Sequence, residues 1–205
     1  NDVGIHEPDL AAPDFSVVPE KVIDYAVRMA QDAADIVRSR IKSYADELVA
    51  SYLAVRDKDI VIVFNSGGMG WNLTKDTPGW ASILEGIRTH LEKLGHHPIV
   101  LNYRRTGTGL KNTIREFFEA AYRYPRKSRD LARRIFLIDN IPGLKVIIAG
   151  ESTGTVISEK TMRILSDREC VYSIQTGMPF WHTPVVHQRT LSMNDNGIRL
   201  DTFHY

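Results

Sequence analysis

With one cysteine, Cys170, the chain can form no internal disulfide, and no CxxC pair or Cys/His cluster offers the spacing of a structural zinc site. Cys170 therefore reads as a buried small hydrophobe. Long hydrophobic runs are missing too. The longest unbroken apolar stretches are strand-sized, such as Ile60 to Phe64, and none could span a bilayer as a helix, so the chain as given is expected to be soluble. It opens on Asn1 rather than methionine, as a processed protein or an excised piece would, which leaves the compartment open. Proline and glycine are absent from Val22 to Val55, so that stretch lacks the usual helix breakers. Phosphate and dinucleotide signatures are incomplete. Gly150 to Thr155 lacks the lysine of a P-loop, and Leu73 stands where a dinucleotide fingerprint needs its third glycine, so no cofactor or metal is expected.

What is present suits one enclosed core: 205 residues, 43% hydrophobic and 25% charged. The formal net charge of +1 conceals an acidic stretch before Asp35 and a basic one from Arg104 to Arg134. A solvated helix face is the first reading of the basic stretch; an anionic partner such as a lipid surface is the second, and nucleic acid is disfavoured.

Residues 1–19, with Pro8, Pro13 and Pro19 among acidic residues, read as an extended arm. From residue 20 to 56 the stripe Val22, Ala26, Ala30, Ala33, Val37, Ile41, Tyr44, Leu48, Tyr52 and Val55 repeats with spacings of 4, 4 and 3. That is about 3.67 residues per turn, which keeps the stripe on one side of a nearly straight helix roughly 50 Å long. Such a rod either packs over its own domain or, with small alanines permitting close approach, serves homo-oligomer assembly.

Residues 57–205 then alternate strands with helices. Strands are predicted at Asp59 to Phe64, His97 to Tyr103, Leu144 to Ala149 and Cys170 to Gln175. Helices are predicted from Pro78 to Leu94, from Leu110 to Ile138 with a break at Pro125, and after Ser152 to Leu165. The order predicts right-handed βαβ units, hence an α/β fold with a parallel doubly wound sheet. From Val185 to Phe203, two short antiparallel strands joined at Asn194-Asp195-Asn196-Gly197 predict a C-terminal β-hairpin.

The third strand runs into Gly150-Glu151-Ser152-Thr153-Gly154 and a helix. A serine on such a turn is pushed out of the sheet edge, and small residues two before and two after let the backbones pass. The pentapeptide and its setting, Asp59 to Gln175, resemble the α/β-hydrolase superfamily, in particular its carboxylesterase and lipase branches. The resemblance implies that Ser152 is a nucleophile and that the Thr153 N–H is one oxyanion donor. It also implies a second donor from the glycine turn Ser66-Gly67-Gly68-Met69-Gly70, at Gly67 or Gly68. An acid and then a histidine should follow the serine. Beyond Ser152 the histidines are His182, His187 and His204, and Asp195 and Asp201 precede His204.

Three outcomes stay open for the triad: a compact set with His204 and Asp201, or His182, serving Ser152; completing residues in sequence beyond this chain; or an elbow without hydrolytic activity. Trp181, Phe180, Met178 and Pro179 could line an acyl pocket or fill the core, and Tyr103, Arg104 and Arg105 could meet a ligand anion or make a loop salt bridge. The functional expectation is a serine-dependent acyl hydrolase of small-molecule or lipid esters; the alternative is a non-catalytic binding or assembly module on the same fold.

Overall fold

The computed structural model describes residues 4–6, 14–33, 36–68, 70, 72, 74–105, 124–183 and 188–193. Five parallel strands form the sheet: β2 (Ile60–Asn65), β3 (Pro98–Arg104), β4 (Lys145–Glu151), β5 (Val171–Thr176) and β6 (Thr190–Met193). A sixth, β1 (Gly4–His6), runs antiparallel along β3, so part of the arm is an edge strand, and the order is β1-β3-β2-β4-β5-β6. All six residues of β2 are buried, as expected of a β-branched run at the centre of a sheet covered on both faces.

The covering follows the two-residue period of the strands. Val61, Val63, Leu101, Tyr103, Val146, Ile148 and Val171 face the helices α4 (Pro125–Ile138) and α5 (Thr153–Ile164). Ile60, Ile62, Phe64 and Ala149 face α3 (Pro78–Lys93) through Trp80 and Leu84. The chain passes from β2 to β3 through α3 on one face, and from β4 to β5 through α5 on the other. Asn65 lies level with Gly150, so β2 and β4 end side by side. Their C-terminal ends flank the switch point of the sheet, where crossovers depart to opposite faces and parallel sheets open a crevice.

The expected rod over residues 20–56 is two helices, α1 (Glu20–Gln31) and α2 (Ile41–Val55), with a short 3₁₀ turn at Arg38–Arg40 before the second. Folding back lets Ala26 and Ala30 pack with Tyr44, Ala45, Leu48 and Val49 in one cluster, whereas a straight rod would project beyond the domain. The alanines that suited close approach to another copy thus meet the chain's own second helix. Among the described residues no helix is long and apolar enough to cross a membrane. The first arm of the expected hairpin contains β6, added parallel to β5; its Asn194–Gly197 turn and second arm lie outside the described residues, as does the part of the expected Leu110 to Ile138 helix that precedes residue 124.

Candidate active site

Ser152 stands between β4 and α5 at φ 47° and ψ −120°, one of two described non-glycine residues with positive φ. An L-residue held there is strained, by about 1 to 3 kcal/mol, and persists only where its surroundings over-determine it. They do so here. The Ser152 N–H donates to Thr176 O at 3.0 Å, and Ser152 O accepts the Thr155 N–H at 2.9 Å and the Thr155 hydroxyl at 2.6 Å. A β-carbon on Gly154 would sit 2.1 Å from Asn65 O, and one on Gly150 would sit 2.7 Å from Ser158 Oγ. The close passage of α5 restricts Gly154 to glycine against the backbone end of β2, whereas at Gly150 the Ser158 hydroxyl would have to move aside and the Thr155 backbone leaves little further room. Asn65 Nδ2 adds a hydrogen bond to Gly154 O at 3.0 Å.

The glycine turn after β2 lies directly against this elbow: a β-carbon on Gly67 would be 3.1 Å from Ser152 Cβ. Thr153 Oγ1 donates to Gly68 O at 2.8 Å, tying the turn to the first residue of α5. Ser152, Thr153, Gly67 and Gly68 are therefore brought together. The N–H of Thr153 opens a helix, where backbone donors lack intrahelical partners and the helix dipole favours negative charge. Among the described residues, no acceptor meets the N–H of Thr153 or of Gly68. The Gly67 N–H is occupied: it donates to Glu151 Oε2 at 3.2 Å. Glu151 was not foreseen as a participant, although its place beside the serine in the pentapeptide was visible.

His182 is not a partner of Ser152. It is 5% exposed, and its Nε2 lies 2.6 Å from Oε2 of Glu159, a carboxylate buried on α5 that also pairs with Arg163 at 3.3 Å. The cause is local: the His182 N–H closes a turn onto Pro179 O at 2.9 Å, and Trp181 beside it packs partly into the main core. Met178 is buried as well, whereas Phe180 remains 55% exposed. Among the described residues no hydrogen bond reaches the Ser152 hydroxyl. His187, His204, Asp195 and Asp201 lie outside the described residues. His96 pairs with Asp59 at 2.8 Å, at the N-terminal end of the sheet opposite the elbow.

Arg105 also departs from expectation. Rather than meeting a ligand anion, it is fully buried beneath the glycine turn. Its guanidinium donates to Asn65 Oδ1 at 3.0 Å, to Ser66 O, to Gly68 O at 2.5 Å and to Thr153 Oγ1 at 2.7 Å. The available signal was its position: it follows β3, the neighbour of β2, on the side where the glycine turn emerges.

No protein-family model matches the chain, and no curated protein matches it in sequence. Among solved structures it is similar to a Trichoderma reesei cutinase in complex with a phosphonate inhibitor, with a TM-score of 0.44 and 13% identity over 89% of this chain and 80% of that one. A likeness at that level assigns no residue. The parallel sheet flanked by helices on both faces is an α/β fold.

Proposed function

We propose that the protein is a serine-dependent acyl hydrolase of the esterase or lipase kind, with Ser152 as nucleophile. One observation carries this reading: Ser152 keeps a side chain at φ 47°, where glycine would sit without strain. A turn that served only to connect β4 with α5 would have no use for that strain. A hydroxyl presented at the switch point of the sheet does.

In the reaction, the Ser152 oxygen attacks the ester carbonyl and forms a tetrahedral oxyanion, met by the N–H groups of Thr153 and Gly68, with Gly67 joining when Glu151 releases it. The serine proton passes to an imidazole, which returns it to the departing alcohol. Water then cleaves the acyl-enzyme by the same route in reverse. We assign the base to His204 and its orienting acid to Asp201. The chain leaves β6 at Met193, level with Thr176 at the elbow's end of the sheet, with β5 between β6 and β4. Eleven further residues can span up to about 36 Å, against roughly 10 Å for two strand spacings. Exposed Phe180 and Met193, which follow or end the neighbouring strands, suit an apolar acyl chain.

The test is fluorophosphonate labelling of the full chain together with hydrolysis of a short p-nitrophenyl ester. Modification at Ser152, found by peptide mass spectrometry and abolished in Ser152→Ala, is the expected result. His204→Gln should lower kcat by about 10³-fold or more. Failure of both labelling and hydrolysis in the unaltered protein overturns the proposal. That result would favour the binding-module reading, which the carboxylate of Glu151 on the Gly67 N–H already accommodates.

A further inference from the structure

We propose that Arg105 is a positioning residue for the oxyanion pocket, an inference that rests on the hydrolase reading above. The guanidinium touches three separate pieces of that pocket: the end of β2 through Asn65 and Ser66, the glycine turn through Gly68, and the first residue of α5 through Thr153. Room for it is built into the turn, because a β-carbon on Gly70 would lie 2.2 Å from Arg105 Cγ. The Arg105 N–H in turn donates to Gly70 O at 3.0 Å, the guanidinium lies over the Tyr124 ring at 5.6 Å, and Lys127 Nζ donates to Arg105 O.

The consequence follows from peptide planarity. In a trans peptide the C=O and the N–H point in opposite directions. By drawing Ser66 O toward itself, Arg105 turns the N–H of the same peptide, that of Gly67, away from itself and toward the elbow side, where Glu151 now accepts it. Binding Gly68 O and the Thr153 hydroxyl together fixes the distance between the turn and the α5 N–H that supplies the other donor. A glycine-rich turn has many conformations to lose, and a transition-state pocket works only when its donors are held before charge develops. Arg105 supplies the restraint from below, out of contact with the substrate. Lysine cannot replace it: an ammonium is a compact point charge without the planar fork that spans two carbonyls and a hydroxyl.

The experiment compares the full chain with Arg105→Lys and Thr153→Val, measuring kcat and KM on a short p-nitrophenyl ester and the rate of fluorophosphonate labelling at Ser152. Circular dichroism checks the fold of each variant. Arg105→Lys is expected to lower kcat and the labelling rate by about 100-fold, with KM within about threefold, the pattern of a lost transition-state contact rather than lost substrate binding. Thr153→Val removes one of the guanidinium's partners, together with that hydroxyl's own bond to Gly68 O, and should lower kcat by roughly tenfold, again without a KM change. If Arg105→Lys does not fold, Thr153→Val decides alone. A kcat and labelling rate equal to the unaltered protein's in a folded variant, or a loss confined to KM, overturns the role of Arg105 while leaving Ser152 as nucleophile. Absence of labelling in the unaltered protein instead removes the hydrolase reading, and this inference with it.

Discussion

Ser152 and Asp139 are each held in a state the unfolded chain would not choose, and each makes a measurable difference for that reason. At Ser152 the unfavourable element is the β-carbon at positive φ, which alanine retains and glycine lacks. Ser152→Gly should therefore be more stable than Ser152→Ala by about 1 kcal/mol in urea denaturation, once the greater unfolded-state freedom of glycine is set against the strain. Equal stabilities would mean that the backbone at the elbow is relaxed. Asp139 ends α4, where a negative charge opposes the helix dipole. Burial pushes its carboxyl up to about 6; Arg168, 3.5 Å away, pulls the other way, and Asp167 adds to the rise. A carboxyl whose pKa is higher in the folded state binds more protons there, so its contribution is fully favourable below the unfolded value near 4 and is lost as pH rises through about 6. Asp139→Asn should accordingly raise Tm by a few degrees at pH 8 and leave it unchanged at pH 4, read by thermal unfolding at the two pH values.

Among the elements, the α1–α2 pair is fastened to the sheet domain by a buried polar cluster as well as by apolar packing. The hydroxyls of Tyr44 on α2 and Tyr103 on β3 both donate to Asp130 on α4, each at 2.7 Å. Arg134 pairs with Asp130 at 3.2 Å and with Glu47 of α2 at 2.9 Å, and lies over the Tyr44 ring. Burial alone would push the Asp130 carboxyl up, but Arg134 and the two hydroxyls outweigh it and hold the carboxyl below the ordinary value. Burial likewise raises both tyrosines, with the Asp130 charge adding to it. Asp130→Asn leaves the buried guanidinium short of one partner and should cost about 3 kcal/mol in urea at pH 6. Because the folded carboxyl titrates below its unfolded value, that contribution is present above about pH 4 and fades as pH falls through the lower value. The stability gap between the Asp130→Asn variant and its parent should thus narrow at pH 3, and a gap that stays constant would assign the cost to packing instead.

At this scale the sequence was uneven in what it disclosed. The inner strands were legible because β-branched runs such as Ile60 to Phe64 have few other places to go, and the elbow was legible because strand, pentapeptide and helix follow one another directly in the chain, although the contact that restricts Gly154 comes from Asn65, 89 residues away. The fold-back of α1 onto α2 was not, since a stripe spaced 4, 4 and 3 reads identically in a rod and in two helices that bury the stripe against each other. Nor was the cradle of Arg105, whose partners are backbone oxygens and side chains 37 to 48 residues away, contacts that leave no local pattern. The pairing of His182 with Glu159, 23 residues apart, was hidden for the same reason.

Taken as a whole, the described residues show no seam at residue 56, where the hydrophobic period alone would divide a helical segment from a sheet domain. Val55 of α2 is part of the main core with Val61 and Val146, and Leu137 of α4 belongs to the cluster that joins α1 to α2. The cluster around Asp130 crosses the same line a third time. Each of these contacts would have to be broken for the helical pair to melt by itself, which would expose Leu48, Val55 and Leu137 to water and leave Arg134 without Glu47. Burial of a single large aliphatic side chain is worth about 1.5 to 3 kcal/mol, so the partly melted state lies several kcal/mol above the native one and should not be populated. Urea unfolding followed by far-ultraviolet circular dichroism, which weights the helices, and by tryptophan fluorescence, to which Trp80 on the α3 face contributes, should then give coincident transitions. Loss of helical signal at lower urea than the fluorescence change would instead make α1 and α2 a separately folding unit, with their shared apolar face released for another partner.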